Sequence, residues 1–237
     1  MEKQKLNKFV QKYTLGGLVE SVKWESANGS LETSFISDDK SVLGKVTMGE
    51  FDFEKTSFGV YDTSKLKGML SVLGDDIEFD ITSTNEKAVS LKFKDKSTSV
   101  NYMLADLSVI PNVPDLKKLP EFDVKIKLDD TFITKFIKAK GALSDENNFT
   151  FMSKGGNNQI ILGYTTINSN RITIDVDREG SGDVDPISFS ATYLKEILLA
   201  NKDAKDATLA ISTQGLSHIH FDVDEYTTDY YLVEVKS

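Results

Sequence analysis

Val60-Tyr61-Asp62-Thr63-Ser64-Lys65-Leu66-Lys67-Gly68-Met69-Leu70-Ser71-Val72-Leu73-Gly74-Asp75-Asp76 holds one short amphipathic helix. Leu66, Met69, Leu70 and Leu73 fall at i, i+3, i+4 and i+7, one face of a helix with 3.6 residues per turn. The pattern returns 128 positions later in Phe189-Ser190-Ala191-Thr192-Tyr193-Leu194-Lys195-Glu196-Ile197-Leu198. At that shift Leu66-Lys67 lies on Leu194-Lys195 and Met69-Leu70 on Ile197-Leu198. Leu91 then lies on Ile219, Phe93 on Phe221 and Tyr102 on Tyr230. At a shift of 127, Leu6, Lys8, Phe9 and Val10 lie on Ile133, Lys135, Phe136 and Ile137. Helix falls on helix and strand on strand in the same order, which points to a duplicated domain.

Four helices are expected, near residues 2–13, 63–73, 131–142 and 191–201. In the first, Leu6, Phe9, Val10 and Tyr13 make the apolar stripe. In the third, Asp129 or Asp130 can cap the start, and Phe132, Ile133, Phe136 and Ile137 carry the stripe. Ser190 can cap the fourth. Most of the remaining chain reads as short strands. Val89–Phe93, Phe122–Leu128 and Ile172–Val176 alternate apolar and polar, as half-buried strands do. Leu31–Ile36, Gln159–Tyr164, Leu209–Ser212 and Asp229–Val235 are further candidates. Asn28-Gly29-Ser30, Gly155-Gly156-Asn157-Asn158 and Glu179-Gly180-Ser181-Gly182-Asp183 are turn clusters between them. Pro111, Pro114 and Pro120 stiffen one stretch and remove its backbone donors. The expected division is an N-terminal domain over 1–106, a connector over 107–120 and a C-terminal domain over 121–237.

The chain of 237 residues can bury a sizeable core. It has no cysteine, which excludes disulfides, thiolate metal sites and cysteine nucleophiles. No stretch is long and apolar enough to span a membrane, and Met1 to Lys5 does not resemble a signal peptide. The net charge of -9 argues, taken globally, against nucleic-acid binding. Its distribution argues the other way. Windows 2–13, 63–73, 131–142 and 191–202 hold eleven lysines against two glutamates, so the rest of the chain carries -18. These lysines are Lys3, Lys5, Lys8, Lys12, Lys65, Lys67, Lys135, Lys138, Lys140, Lys195 and Lys202. Ordinary solvated helices mix both signs and gain from Glu–Lys pairs one turn apart. At about 100° per residue, Lys5, Lys8 and Lys12 fall in a narrow arc well away from the apolar stripe. A surface that faces a polyanion would use such point charges, because lysine attracts phosphate without reading bases.

Two passages, Val60 to Asp76 and Phe189 to Leu198 followed by Gly215-Leu216 and Tyr230-Tyr231-Leu232-Val233, resemble the PCNA-like DNA sliding clamps. Within them the resemblance is nearest to the polymerase processivity clamps of myovirus-type tailed phages. It implies an α+β chain with the DNA clamp fold: two similar domains, each with antiparallel sheets and two helices lining a central hole. It implies a homotrimeric ring around double-stranded DNA, tethering a replicative DNA polymerase and met by a clamp loader, with no catalysis and no cofactor. The lysines above would face DNA. The connector would cover a groove for partner peptides, with Leu104, Ile110, Pro111, Val113, Tyr231 and Val233 as candidates. The setting implied is the cytoplasm of an infected bacterial host. The fourth helix departs from the pattern, having two lysines and a glutamate.

Other signals carry less. His218 and His220, the only histidines, would share one face of a strand, and a solvent-facing strand is the plainer reading than a metal site. Asp175, Asp177, Glu179 and Asp183 suggest a calcium loop, but Pro186 stands where a bidentate glutamate is needed, so a hairpin is expected there. Two alternatives stay open: a β-rich oligomeric structural protein of a virion, and a carboxylate-based hydrolase. The lysine surplus on the helices is the feature a virion protein has no reason to keep.

Overall fold

A computed structural model describes residues 1–85, 87–164, 170–204 and 207–236. The chain forms two compact units, each described in turn. Unit 1 comprises Met1–Ile36 and Lys45–Val113; unit 2 comprises Ser37–Gly44 and Pro114–Ser237. The short segment 37–44 thus lies with unit 2 and not with the first half of the chain around it.

Unit 1 begins with α1 (Lys3–Thr14), followed by β1 (Val22–Ala27), β2 (Ser30–Ile36), β3 (Val42–Met48, whose first three residues fall in unit 2) and β4 (Thr56–Val60). The second helix, α2 (Thr63–Leu70), precedes β5 (Glu78–Thr84), β6 (Lys87–Lys94) and β7 (Ser99–Met103). Strands run in the order β3-β2-β1-β4 in one sheet and β5-β6-β7 in the other. Asn28 and Gly29 both take positive φ, 55° and 74°, the conformation a tight β1–β2 turn demands. Asp62 caps α2 by accepting from the Lys65 amide at 2.8 Å. The helix stops at Leu70, earlier than its apolar spacing suggests; Leu73 is still buried, in the turn that follows. The helices α1 and α2 pack on each other. Beneath α1 lies Trp24, edge-on to Phe9 at 5.3 Å, Tyr13 at 6.2 Å and Phe58 at 5.7 Å. A second cluster joins Phe51, Phe53, Phe79 and Phe93.

The turn after α2 is held by one carboxylate. Asp95 accepts from the amides of Gly74 at 2.6 Å, Ser97 at 2.7 Å and Thr98 at 2.6 Å. These bonds hold its pKa down to about 2. A carboxyl depressed in the folded state contributes stability above its unfolded value of about 3.9, and that contribution is lost as pH falls toward the folded value. Unfolding followed from pH 5 to pH 2 is therefore expected to show a fall in stability that Asp95→Asn flattens. An unchanged pH curve in the variant would refute this role.

Unit 2 opens with β8 (Val124–Lys127) and α3 (Asp130–Ala142), then β9 (Asn148–Lys154), β10 (Asn157–Leu162), β11 (Ile172–Asp175) and β12 (Arg178–Glu179). It closes with β13 (Val184–Ser190), α4 (Ala191–Ala200), β14 (Ala207–Ser212), β15 (Leu216–Val223) and β16 (Tyr226–Val233). Strand orders are β12-β8-β14-β15-β16 and β11-β10-β9-β13. The expected caps are present: Asp129 accepts from the Phe132 amide at 2.8 Å and Ser190 from the Tyr193 amide at 3.3 Å. Helices α3 and α4 pack together. Phe132, Phe136, Phe149 and Phe189 fill the space beneath them. The segment 37–44 runs beside β16, where the Val233 amide donates to the Ser41 carbonyl at 2.9 Å. The Tyr193 hydroxyl donates to Asp39 at 3.3 Å.

The hairpin expected around residues 175–183 is not formed. Strand β12 pairs with β8, and β13 pairs with β9, so the turn between them carries the chain from one sheet to the other. Gly180 sits in that turn at φ 110°, where a β-carbon would meet the Asp123 carbonyl at 2.5 Å. Turn residues alone say that the chain reverses, not which sheet receives it next. Among the described residues no helix is long and apolar enough to cross a membrane.

Candidate nucleic-acid interface

The helix lysines do not all behave alike. Lys65 and Lys67 on α2, Lys135 and Lys138 on α3, and Lys202 after α4 are exposed. None of these five has an ion pair among the described residues. The others are partly or fully committed. Lys3 donates to the Leu73 carbonyl, and Lys5 pairs with Glu50 at 2.7 Å. That hydrogen bond and the positive charge hold the Glu50 carboxyl below its usual range. Lys8 is half-buried and has interactions within the chain. Lys195 lies 3.3 Å from Glu196.

Two expectations are corrected. Lys12 is only 4% exposed and Lys140 only 7%, so neither can present its charge to a large polyanion. Both sit in the last turn of their helices. Lys140 reaches past the helix end to donate to the Ser144 carbonyl at 2.7 Å. A cation at a helix C-terminus satisfies open carbonyls and the negative end of the dipole. A helical wheel cannot anticipate this, because it describes an isolated helix and not what packs over its end.

Two strands stand at sheet edges beside these helices, β7 in unit 1 and β11 in unit 2. A groove of about 730 Å³ runs along β7, lined by Tyr61, Lys65, Met69, Tyr102, Met103 and Val109. Met103 is 65% exposed and Tyr61 57%, unusual for side chains of that size. A groove of about 540 Å³ runs along β11, between Ile172 and Ile174 of the strand and Ala139 and Ala142 of α3. Lys135, Lys138 and Asp175 line it too.

No family model matches the sequence, and no curated protein matches it either. Solved structures do. The crystal structure of proliferating cellular nuclear antigen from Entamoeba histolytica aligns over 99% of this chain and 96% of its own, with a TM-score of 0.74 at 15% identity. A chain from the complex described as the C-terminal region of FEN-1 bound to A. fulgidus PCNA aligns over 100% of this chain and 97% of its own, with a TM-score of 0.75 at 19% identity. The chain has the PCNA clamp fold. Neither match bears on the nearness to tailed-phage clamps expected from the sequence.

Within that fold the peptide-groove candidates are distributed as follows. In unit 1, Pro111 is exposed, and Leu104, Ile110 and Val113 are half-buried. Leu104 lines the groove along β7. Just before residues 107–120 the chain is pinned to β4, where the Ala105 amide donates to the Gly59 carbonyl at 3.0 Å. A β-carbon on Gly59 would meet the Ala105 carbonyl at 2.8 Å and Ile110 at 3.0 Å, so only glycine permits the approach. In unit 2, Val233 is 44% exposed and Tyr231 is half-buried, stacked on His218 at 4.5 Å.

Sequence reasoning missed Asp229. It accepts from both histidines, at 2.7 Å from His218 and 2.8 Å from His220. Burial works against the charge on His220, but hydrogen bonds to Asp229 and Asp222 outweigh it and raise its pKa. Asp229 comes from the neighbouring strand, and no local spacing signals such a cross-strand partner.

Proposed function

We propose that this chain is a sliding clamp: a non-catalytic ring of three copies that encloses double-stranded DNA and tethers a replicative polymerase. The observation that carries the reading is the set of five exposed lysines, without an ion pair among the described residues, on or beside the helices of a PCNA-type fold in an acidic chain. A polymerase must stay on DNA and still move. A closed ring supplies topological linkage with weak, sequence-independent phosphate attraction, so it holds without stalling. Acidic groups elsewhere keep DNA off the outer surface.

The edge strands β7 and β11 would close the ring, each pairing with the other on a neighbouring copy. This would also remove the exposed edges that otherwise invite aggregation. The apolar groove along β7 supports the same reading, since Met103 and Tyr61 would be covered there. Partner peptides of the polymerase and clamp loader would dock against Leu104, Ile110, Pro111 and Val113 on unit 1 and Tyr231 and Val233 on unit 2. The domain division at 1–106, 107–120 and 121–237 and the origin in a tailed phage, acting in the cytoplasm of its bacterial host, belong to the proposal too.

Solution mass by light scattering tests the ring. A species of three times the 26.3 kDa chain, falling apart on dilution, is expected. Met103→Lys, which puts a charge into the β7 groove, is expected to give the single chain with its fold intact by circular dichroism. A wild-type chain that stays single at high concentration would overturn the ring.

A further inference from the structure

We propose that His218, His220 and Asp229 form a binding site for a divalent transition ion of the zinc class. The site lies wholly within unit 2 and does not depend on the clamp reading. The two histidines occupy alternate positions of β15, so both side chains stand on one face, while Ile219 and Phe221 are buried on the other. Asp229 of β16 is directly opposite His220 in the strand register. One ligand atom from each residue lies within 4.8 Å of the others. Asp229 Oδ1 is the meeting point, 2.7 Å from His218 Nε2 and 2.8 Å from His220 Nδ1.

A tetrahedral zinc ion with bonds of about 2.0–2.1 Å holds its ligand atoms roughly 3.3 Å apart. Each imidazole nitrogen would therefore draw back from Asp229 Oδ1 by about half an ångström to admit it, within the reach of side-chain rotation. Two imidazoles and a carboxylate suit zinc, cobalt or nickel, and not magnesium or calcium, which take oxygen ligands. With His220 bound through Nδ1, its other nitrogen must carry the proton. The structure provides for that proton: His220 Nε2 lies 3.0 Å from Asp222 Oδ2, and Asp222 is itself held by the Thr227 hydroxyl at 2.9 Å. A carboxylate behind a ligating histidine fixes its tautomer and strengthens its bond to the metal. The His218 ring is fixed in another way, stacked on Tyr231 at an interplanar angle of 10° and flanked by Phe122 at 5.8 Å.

The ligand side chains are 23%, 42% and 29% exposed, so an ion can enter and the fourth position stays open to water. Lys125, Lys127 and Arg178 line the groove that reaches His220, and they weaken the attraction for a cation on that side. Asp177 and Glu179 in the same groove, with Asp222 and Asp229 against the imidazole, offset them.

The test uses the full chain without a histidine tag, titrated with zinc chloride by calorimetry and with cobalt chloride by visible absorption. One equivalent per chain is expected, with cobalt bands typical of four-coordination. His220→Gln, which keeps the size of the side chain, and Asp229→Asn are each expected to abolish stoichiometric binding. Asp222→Asn is expected to keep one equivalent at roughly 10–100-fold lower affinity. Circular dichroism establishes that each variant is folded. Absence of stoichiometric binding by the wild-type chain overturns the site. So does binding that survives both His220→Gln and Asp229→Asn, which would place the ion elsewhere.

Discussion

Reversing charge at Lys65, Lys67, Lys135 and Lys138 to glutamate is expected to bring stimulation of a polymerase down to background while assembly is unchanged. These four are exposed and unpaired among the described residues, so their substitution removes no folded-state bond. A unit charge about 4 Å from a phosphate is worth about 1 kcal/mol in water. Four lost attractions per chain alone cost about 4 kcal/mol, on the order of 10³-fold in affinity for duplex DNA, and repulsion of phosphate by the four new carboxylates adds to that loss. The dependence on salt should change as well, its logarithmic slope flattening by roughly 0.9 for each phosphate contact removed. A control reverses Lys23 and Lys45, which lie on strands and pair with Glu25 at 3.1 Å and Glu32 at 2.9 Å. If the helix variant binds and slides as the parent does, the helices do not face DNA. If the control loses binding equally, only net charge matters.

Trp24→Ala is expected to cost about 3–5 kcal/mol of stability, the range for removing a fully buried large aromatic. Trp24 has no exposed surface, and its ring meets Phe9, Tyr13 and Phe58 edge-on. The substitution removes three such pairings and leaves a void between α1 and β1. Against a typical total of about 5–15 kcal/mol, a loss of that size shifts the midpoint of denaturant unfolding far more than any surface change. Trp24→Phe, which keeps an aromatic ring, is expected to cost less. Equal midpoints for Trp24→Ala and the parent would mean that unit 1 is held together elsewhere.

All four helices were legible because their signals are local: an apolar stripe, and caps such as Asp129 and Ser190 within a few residues of it. The strand that carries His218 and His220 was legible from alternation. Strand β9, where Thr150 and Ser153 are buried beside Phe149 and Phe151, carries no clean alternation, and β5 alternates only briefly, Phe79 and Ile81 between exposed Glu78, Asp80 and Thr82, so neither stands out in the sequence. At the candidate site the surplus of lysine was plain in the sequence. Which lysines stay outside was not, since Lys12 and Lys140 are covered by contacts that spacing does not encode. The pairing of both histidines with Asp229 depends on strand register, a property of two segments together.

The placement of residues 37–44 in unit 2 bears on how this chain can be taken apart. A single break at 113/114 would not yield two complete pieces. The front fragment would carry away the peptide that Val233 and Tyr193 bond to, leaving the back fragment with an open strand side and an unanswered hydroxyl. Genetic halves of this protein would therefore make poor independent modules, and would be expected to work best when supplied together.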